Sequence, residues 1–291
     1  CLTNRFVKQI QQSDALGMKQ ARVDYDFADV MARVQRVIKT VEPHDSIERY
    51  TRLGVEVIQG RARIMSPWMV EVDDRILTTR AIVIATGASP VIPDIPGLES
   101  VRYFTSDTIW SLTERPDRLV VLGGGPIGCE LAQAFARLGC QVAQVEQGDI
   151  MQREDDDARA LVKAALLDDG VRMLTQTRAV RCEMNGETNR QQLIVADHDG
   201  KETALPFDAL LCAVGRAPRT AGFGLEALGI PTTARRTIET NAWLQTLYPN
   251  IYACGDVAGP YQFTHAAAHQ AWYASVNALF GDFKRFKVDY S

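Results

Sequence analysis

The chain has 291 residues, 46% hydrophobic and 23% charged, and its 36 acids against 32 Lys and Arg give a formal net charge of −4. That is enough apolar material to bury cores for two domains, and no tract has the composition of a disordered segment. Interspersed charge with a slight acidic excess argues against nucleic acid as the main partner and for small-molecule ligands, and no apolar run reaches membrane-spanning length.

The chain opens on Cys1, not on methionine, which points to sequence upstream. A mature bacterial lipoprotein also begins with cysteine but continues into a polar tether, whereas Leu2, Phe6, Val7 and Ile10 are spaced for an immediate helix. The clearest helix follows at 26–52: Asp26 can cap it, and Phe27, Val30, Met31, Val34, Val37, Ile38 and Val41 recur at helical spacing. Pro43 is placed to end or kink it. Short extended runs at 55–58, 62–65, 69–72 and 76–78, separated by turn residues, predict an antiparallel meander beside a larger sheet. Residues 81–85 predict a buried strand running into Thr86-Gly87, and Pro90, Pro93, Pro96 and Gly97 lead out of that unit.

Residues 118–146 carry the strongest pattern. The apolar run Leu119-Val120-Val121-Leu122 suits a buried parallel strand, and it breaks into Gly123-Gly124-Gly125-Pro126-Ile127-Gly128, a G-x-G-x-x-G. A helical stretch follows to Leu138 and Gly139, then a second strand at 141–145 ending at Glu146, 23 residues beyond Gly123. Framed in this way the motif reads as a dinucleotide site. Gly123 permits the tight turn, Gly125 lets backbone approach a pyrophosphate, and Gly128 lets the helix sit close to the strand. The bland alternative is a Gly-rich loop in an ordinary βαβ unit.

Beyond Glu146 the sequence predicts a helix at 155–167 stopped by Gly170, a strand at 171–174, and strands turning at Asn185-Gly186 and Asp199-Gly200. A strand at 209–214 runs into Gly215-Arg216, 225–228 reads as a short helix, and Ile238 begins a return. Residues 251–254 form a last buried strand into Gly255-Asp256, followed by a helix at 265–280. Strand-into-glycine endings at 86–87, 215 and 255 suggest two related nucleotide-binding sheets, one interrupted by the other. The cysteines Cys1, Cys129, Cys140, Cys182, Cys212 and Cys254 lack paired spacing, which reads as reduced, mostly buried thiols in a cytoplasmic protein. His265 and His269 share a helix face without an acid between them, so no metal site is expected, and no G-x-S-x-G or Ser-His-Asp ordering argues for hydrolysis.

Taken in order, Ile84-Ala85-Thr86-Gly87-Ala88-Ser89-Pro90, the glycine unit at 123–130, Ala213-Val214-Gly215-Arg216-Ala217-Pro218 and Tyr252-Ala253-Cys254-Gly255-Asp256 resemble the flavin-dependent pyridine nucleotide–disulfide oxidoreductases. That group holds dihydrolipoamide dehydrogenase, glutathione reductase and mercuric reductase. The resemblance covers nearly the whole chain, and 83–98 and 130–139 look closest to mercuric reductase and dihydrolipoamide dehydrogenase. It implies an α/β fold of two Rossmann-like domains with an antiparallel meander, the NAD(P) domain (116–236) inserted into an FAD domain (1–115 and 237–291). It also implies hydride passage from NAD(P)H to FAD, and on through a cysteine pair to a disulfide or metal-ion substrate, with NAD preferred over NADP because Glu146 ends the second strand.

By the same resemblance Asp256 would bond a flavin ribityl hydroxyl, Thr86, Gly87, Gly215 and Gly255 would lie at the cofactor-facing strand ends, and Glu130 would lie near the flavin, paired with a basic residue of the redox-cysteine helix. Cys1 would be the second cysteine of a C-x4-C, the flavin-side thiolate, with Arg5 where a lysine is common. The first cysteine, the FAD adenosine unit and the C-terminal domain that would form a homodimer are expected outside this chain, which reads as an internal fragment inactive alone. Thr86 and Asp256 also fit plain turn chemistry, and Glu130 fits a solvated helix surface. The alternatives in function are a flavin reductase without a redox disulfide, delivering to a quinone, a protein or oxygen, and a non-enzymatic NAD-binding module.

Overall fold

Leu119, Val120, Val121 and Leu122 are all buried, as a parallel strand covered on both faces must be. In the computed structural model, which describes residues 2–19, 21–186, 188, 190–281 and 283–289, they form the strand Arg118–Leu122 at the centre of a five-stranded sheet. Its neighbours, all parallel, are Gln141–Val145 then Arg172–Leu174 on one side, and Ala209–Cys212 then Tyr103–Thr105 on the other. The chain order thus reverses at Arg118–Leu122, and in open α/β sheets such a switch point is where ligands bind. Alternation along the strand sorts its side chains. Leu119 and Val121 face a core shared with Leu131 and Phe135 of the helix Pro126–Arg137. Val120 and Leu122 face Leu193, Val195 and Leu205 of the antiparallel sheet Arg178–Met184, Gln191–Ala196, Glu202–Pro206. The protein is α/β, with parallel and antiparallel parts.

Packing divides the chain into two units, residues 1–45 with 90–215 and residues 46–89 with 216–291. These boundaries differ from the spans 1–115, 116–236 and 237–291, because 1–45 and 90–115 pack in the unit of the five-stranded sheet and 216–236 packs with the return segment.

In the first unit, the Asp26 carboxylate accepts the Ala28 N–H at 2.8 Å and so caps the helix Phe27–Val41, whose Phe27 ring lies 6.2 Å from that of Phe135. The single helix expected at 26–52 is not formed. It ends at Val41, a 3-10 turn Glu42–Asp45 contains Pro43, and Ser46 caps a separate helix Ile47–Arg52. Only the first turns of Phe27–Val41 reach the core, leaving Val37, Ile38 and Val41 exposed.

In the second unit, Ala62–Ser66, Met69–Val72 and Arg75–Thr78 form the expected meander. Residues 55–58 form no strand, because no described residue pairs with them and an extended run needs a ladder partner. Residues 225–228 are a turn instead of a helix, since glycines at 222, 224 and 229 leave too few residues to nucleate one. Ile82–Ile84 pairs in parallel with Ile251–Ala253, over which the helix Thr264–Phe280 contributes buried Gln270, Ala274 and Asn277.

One charged cluster ties the N-terminal helix Leu2–Gln11 to its unit. Arg137 Nε donates to Asp169 Oδ2 at 2.9 Å, and Lys8 Nζ bonds Asp168 at 2.6 Å. Lys8 Nζ also lies 2.7 Å from Asp169 Oδ1, as a charge contact off the angle of a hydrogen bond. Burial alone would raise the Asp169 carboxyl, but Arg137 and Lys8 outweigh it and hold the group below its ordinary value. The stabilisation is therefore full above the unfolded carboxyl value of ~3.9 and is lost as pH falls below it through the folded value. Asp169→Asn should lower the free energy of urea unfolding by about 1–3 kcal/mol at neutral pH. The gap to the wild type should close below about pH 4; a gap that persists undiminished in acid would show that the carboxylate charge is not what holds the cluster.

Candidate functional site

The loop after Arg118–Leu122 shows why three of its positions are glycine. Gly123 has φ 109°, a left-handed conformation, and a Cβ there would run into the backbone of Ala213. Gly128, on the first turn of Pro126–Arg137, would put a Cβ against the Gly123 carbonyl, so its absence lets the helix close on the loop. Gly125 has an ordinary φ of −77°, and a Cβ there would meet nothing within 4 Å. Its bareness therefore answers to no protein neighbour; it leaves open space beside a helix N-terminus, whose first-turn N–H groups have no intrahelical partners. No acid stands in that first turn to repel an anion.

Glu146 lies at the edge of this loop. Its carboxylate accepts the Gly124 N–H at 2.6 Å through Oε2 and the Gly148 N–H at 2.7 Å through Oε1. Below the loop, fully buried Gln144 donates from Nε2 to the Gly123 carbonyl at 2.9 Å. The Cys129 thiol donates to the Gly124 carbonyl at 3.4 Å. Sequence reasoning missed Gln144, though a signal was present: on a strand of period two it shares the core face with Val142, where an apolar residue belongs.

Of the other expected site residues, Gly215 has φ 126°, with open space where a Cβ would be, and its carbonyl accepts the Val91 N–H at 2.9 Å. In the second unit, the Thr86 hydroxyl donates to the Arg219 carbonyl at 2.8 Å, and the Arg219 N–H donates to the Gly87 carbonyl at 2.9 Å. Gly87 has φ 65° and open space at its Cβ position. Asp256 is half-buried in the turn Gly255–Val257, and its carboxylate makes no hydrogen bond or ion pair among the described residues. That turn is bracketed by Gln270, also missed from sequence, which accepts the Gly255 N–H at 2.6 Å and donates to the Gly259 carbonyl at 2.7 Å.

Glu130 and Arg5 are both exposed and form no ion pair among the described residues; the link from the N-terminal helix to Pro126–Arg137 runs instead through Lys8, Asp169 and Arg137. Cys1 lies outside the described residues. Cys129, Cys140, Cys182, Cys212 and Cys254 are free and buried, and burial raises their thiols, those of Cys140 and Cys212 to about 12 and that of Cys182 to about 11. His265 and His269 are exposed, and the His265 ring stacks on Phe263 at 5.6 Å. No helix of the described residues is long and apolar enough to cross a membrane.

Comparison with known proteins shows the family. The family described as pyridine nucleotide-disulphide oxidoreductase matches residues 8–271. A mercuric reductase of Staphylococcus aureus is 30% identical over 270 residues, 92% of this chain and 49% of that protein. A dihydrolipoyl dehydrogenase of Thermus scotoductus is 36% identical over 232 residues, 77% of this chain and 49% of that protein. Among solved structures, the Cu(II) complex of the HOCl-induced flavoprotein disulfide reductase RclA from Escherichia coli superposes with a TM-score of 0.80 at 29% identity, covering 97% of this chain and 61% of that one. The chain spans about half the length of the curated relatives it matches.

The glycines make separable predictions. Gly128→Ala gains helix propensity, but its Cβ meets a backbone carbonyl that cannot give way, so it should destabilise by about 1–3 kcal/mol. Gly125→Ala should leave the melting temperature unchanged yet weaken NADH binding, because its methyl enters the open space. A folded Gly125→Ala protein that titrates with NADH like the wild type would show that the loop is no phosphate cradle.

Proposed function

The chain belongs to the pyridine nucleotide-disulphide oxidoreductase family, and on that premise we propose that it is the nucleotide- and flavin-binding part of an NADH-dependent flavoprotein reductase whose terminal acceptor is a disulfide or a metal ion. The observation that supports this most is the glycine loop itself: Gly125 opens onto free space at a helix N-terminus, with the Glu146 carboxylate fixed at its edge.

In this reading the helix N-terminus and the bare Gly125 backbone receive the pyrophosphate. Each Glu146 oxygen accepts one backbone N–H and keeps a lone pair for an adenosine ribose hydroxyl, while the charge repels a 2′-phosphate. Gln147 follows, so no arginine stands directly beside Glu146 to receive that phosphate. Residues 116–236 serve the nicotinamide nucleotide, and 1–115 with 237–291 serve FAD. The flavin-side residues fit such a role: Gly87 and Gly215 leave backbone bare, and the Asp256 carboxylate is free to accept from a ribityl hydroxyl. Bound FAD would supply the redox chemistry, taking hydride from the nicotinamide and giving up two electrons. Glu130 would hold charge near the flavin, and Cys1 would be the flavin-side thiolate of the cysteine pair. The intact protein would be a cytoplasmic homodimer.

The alternative, a flavin reductase passing electrons to a quinone, a protein or oxygen, draws on the state of the described thiols. All five are buried and raised, so thiol chemistry rests on Cys1 and a cysteine upstream of it. A cysteine five residues before Cys1 in the longer sequence separates the two.

NADH should bind more tightly than NADPH. Glu146→Ala should weaken NADH binding roughly ten- to a hundredfold, the ~1.5–3 kcal/mol of a hydrogen bond to a charged group. Equal affinities of the wild type for the two nucleotides, measured by fluorescence titration, would count against the assignment of Glu146. In the intact protein, two-electron reduction should produce a long-wavelength charge-transfer band, which Cys1→Ser abolishes without stopping reduction of the flavin by NADH. An unchanged band in Cys1→Ser would remove Cys1 from the site.

A further inference from the structure

We propose that Gln144 is a positioning residue that aims the amide groups of the glycine loop, and through them the Glu146 carboxylate, at the adenosine half of the dinucleotide; this rests on the reading of the loop as the NADH site. The starting point is a mismatch. Gln144 has no exposed surface, on a strand face where Val142 packs into the core around Leu131 and Phe135. Burying a primary amide is unfavourable unless its hydrogen bonds are made, and here they are only half made. Nε2 donates to the Gly123 carbonyl at 2.9 Å, while Oε1 has no partner among the described residues. An apolar side chain of similar shape would fill the position without burying an unpaired Oε1 and would lose only the donor to the Gly123 carbonyl, so the amide is there for that bond and not for packing.

What it does follows from peptide geometry. Gly123, Gly124 and Gly125 have no side chains, so little local steric preference fixes which way the 123–124 peptide faces. A trans peptide points its C=O and N–H in opposite directions. Holding the Gly123 carbonyl down on Gln144 therefore turns the Gly124 N–H outward, and it is found 2.6 Å from Glu146 Oε2. The next peptide is held in the same manner: the Gly124 carbonyl accepts the Met151 N–H at 2.7 Å and the Cys129 thiol at 3.4 Å, which turns the Gly125 N–H away from those donors. Cys129 and Gln144 are themselves in contact, Nε2 lying 3.5 Å from Sγ. With Gln144 absent the 123–124 peptide is free to flip. The Gly124 N–H then leaves Glu146, and the carboxylate keeps only the Gly148 N–H of the two backbone bonds that place it.

The test uses the 291-residue chain with Gln144→Leu, Gln144→Met and Gln144→Glu. Gln144→Glu keeps the shape but cannot donate when ionised, and Gln144→Met supplies an unbranched apolar chain should leucine pack badly. Binding of NADH and of ADP-ribose, which carries the adenosine and the pyrophosphate, should weaken about tenfold, the ~1.4 kcal/mol of one lost hydrogen bond. Reduced nicotinamide mononucleotide, which lacks the adenosine half, should bind as to the wild type, and the melting temperature of the leucine and methionine variants should be unchanged or higher. A folded variant that binds NADH within about twofold of the wild type would overturn the proposal. So would equal losses for NADH and the mononucleotide, or a loss that tracks a fall in melting temperature, since either would mean a merely structural role. A wild-type chain that binds neither NADH nor ADP-ribose would instead overturn the reading of the site itself.

Discussion

Gly123, Gly124 and Gly125 have no side chains to restrain them, so the shape of their loop depends on what holds its carbonyls and N–H groups. The sheet supplies part of the restraint: the Gly123 N–H donates to the Val145 carbonyl at 2.9 Å, and the Ala213 N–H donates to the Leu122 carbonyl at 2.8 Å. Side chains supply the rest, Gln144 and Cys129 from below and Glu146 at the edge. The loop is thus positioned by three neighbouring elements at the place where the sheet order reverses. A bare backbone that must meet a ligand has to be held from outside, and a switch point brings enough elements together to do it.

The glycine unit was legible because its signals are local. Strand, turn, helix and acid lie within 29 consecutive residues, and Gly123 and Gly128 have steric reasons that the motif already encodes. The same holds for the Asp26 cap and for the meander, whose strands pair with their sequence neighbours. Residues 55–58 form no strand although their alternation predicts one, because a strand is defined by its partner, often distant in sequence, and apolar alternation cannot report whether that partner is present. The helix expected at 26–52 failed differently. Apolar spacing continued past Val34, but burial did not; Pro43 ends the helix, as its placement allowed, and Ser46 starts a new one.

The site was legible at the level of backbone and charge and illegible at the level of its supports. Gln144 and Gln270 belong to different units and solve one problem, each pinning a turn of glycines at the end of a parallel strand. Gln270 spends both ends of its amide, on the Gly255 N–H and the Gly259 carbonyl, so it is a satisfied buried group that rigidifies its turn. Gln144 spends one end and leaves Oε1 unpaired. A polar residue in a core strand looks like noise to a reading based on hydrophobic periodicity. Its meaning appears only when the loop above it is seen to need a donor.

The thiols impose a further constraint on any electron transfer through sulfur. Disulfide exchange and metal reduction require a thiolate, which forms where positive charge or a helix N-terminus lowers the thiol's proton affinity. The five described cysteines are in the opposite environment, where burial raises them, as far as about 12 at Cys140 and Cys212, so at neutral pH they are protonated. Cys129 even uses its proton structurally, donating to the Gly124 carbonyl. Sulfur chemistry in the proposed reductase must therefore lie outside these cores. The helix that follows Cys1 is anchored by Lys8 to Asp168 and to Asp169, which Arg137 of the glycine-loop helix also holds. These bonds hold the described residues of that helix in place against the glycine-loop helix.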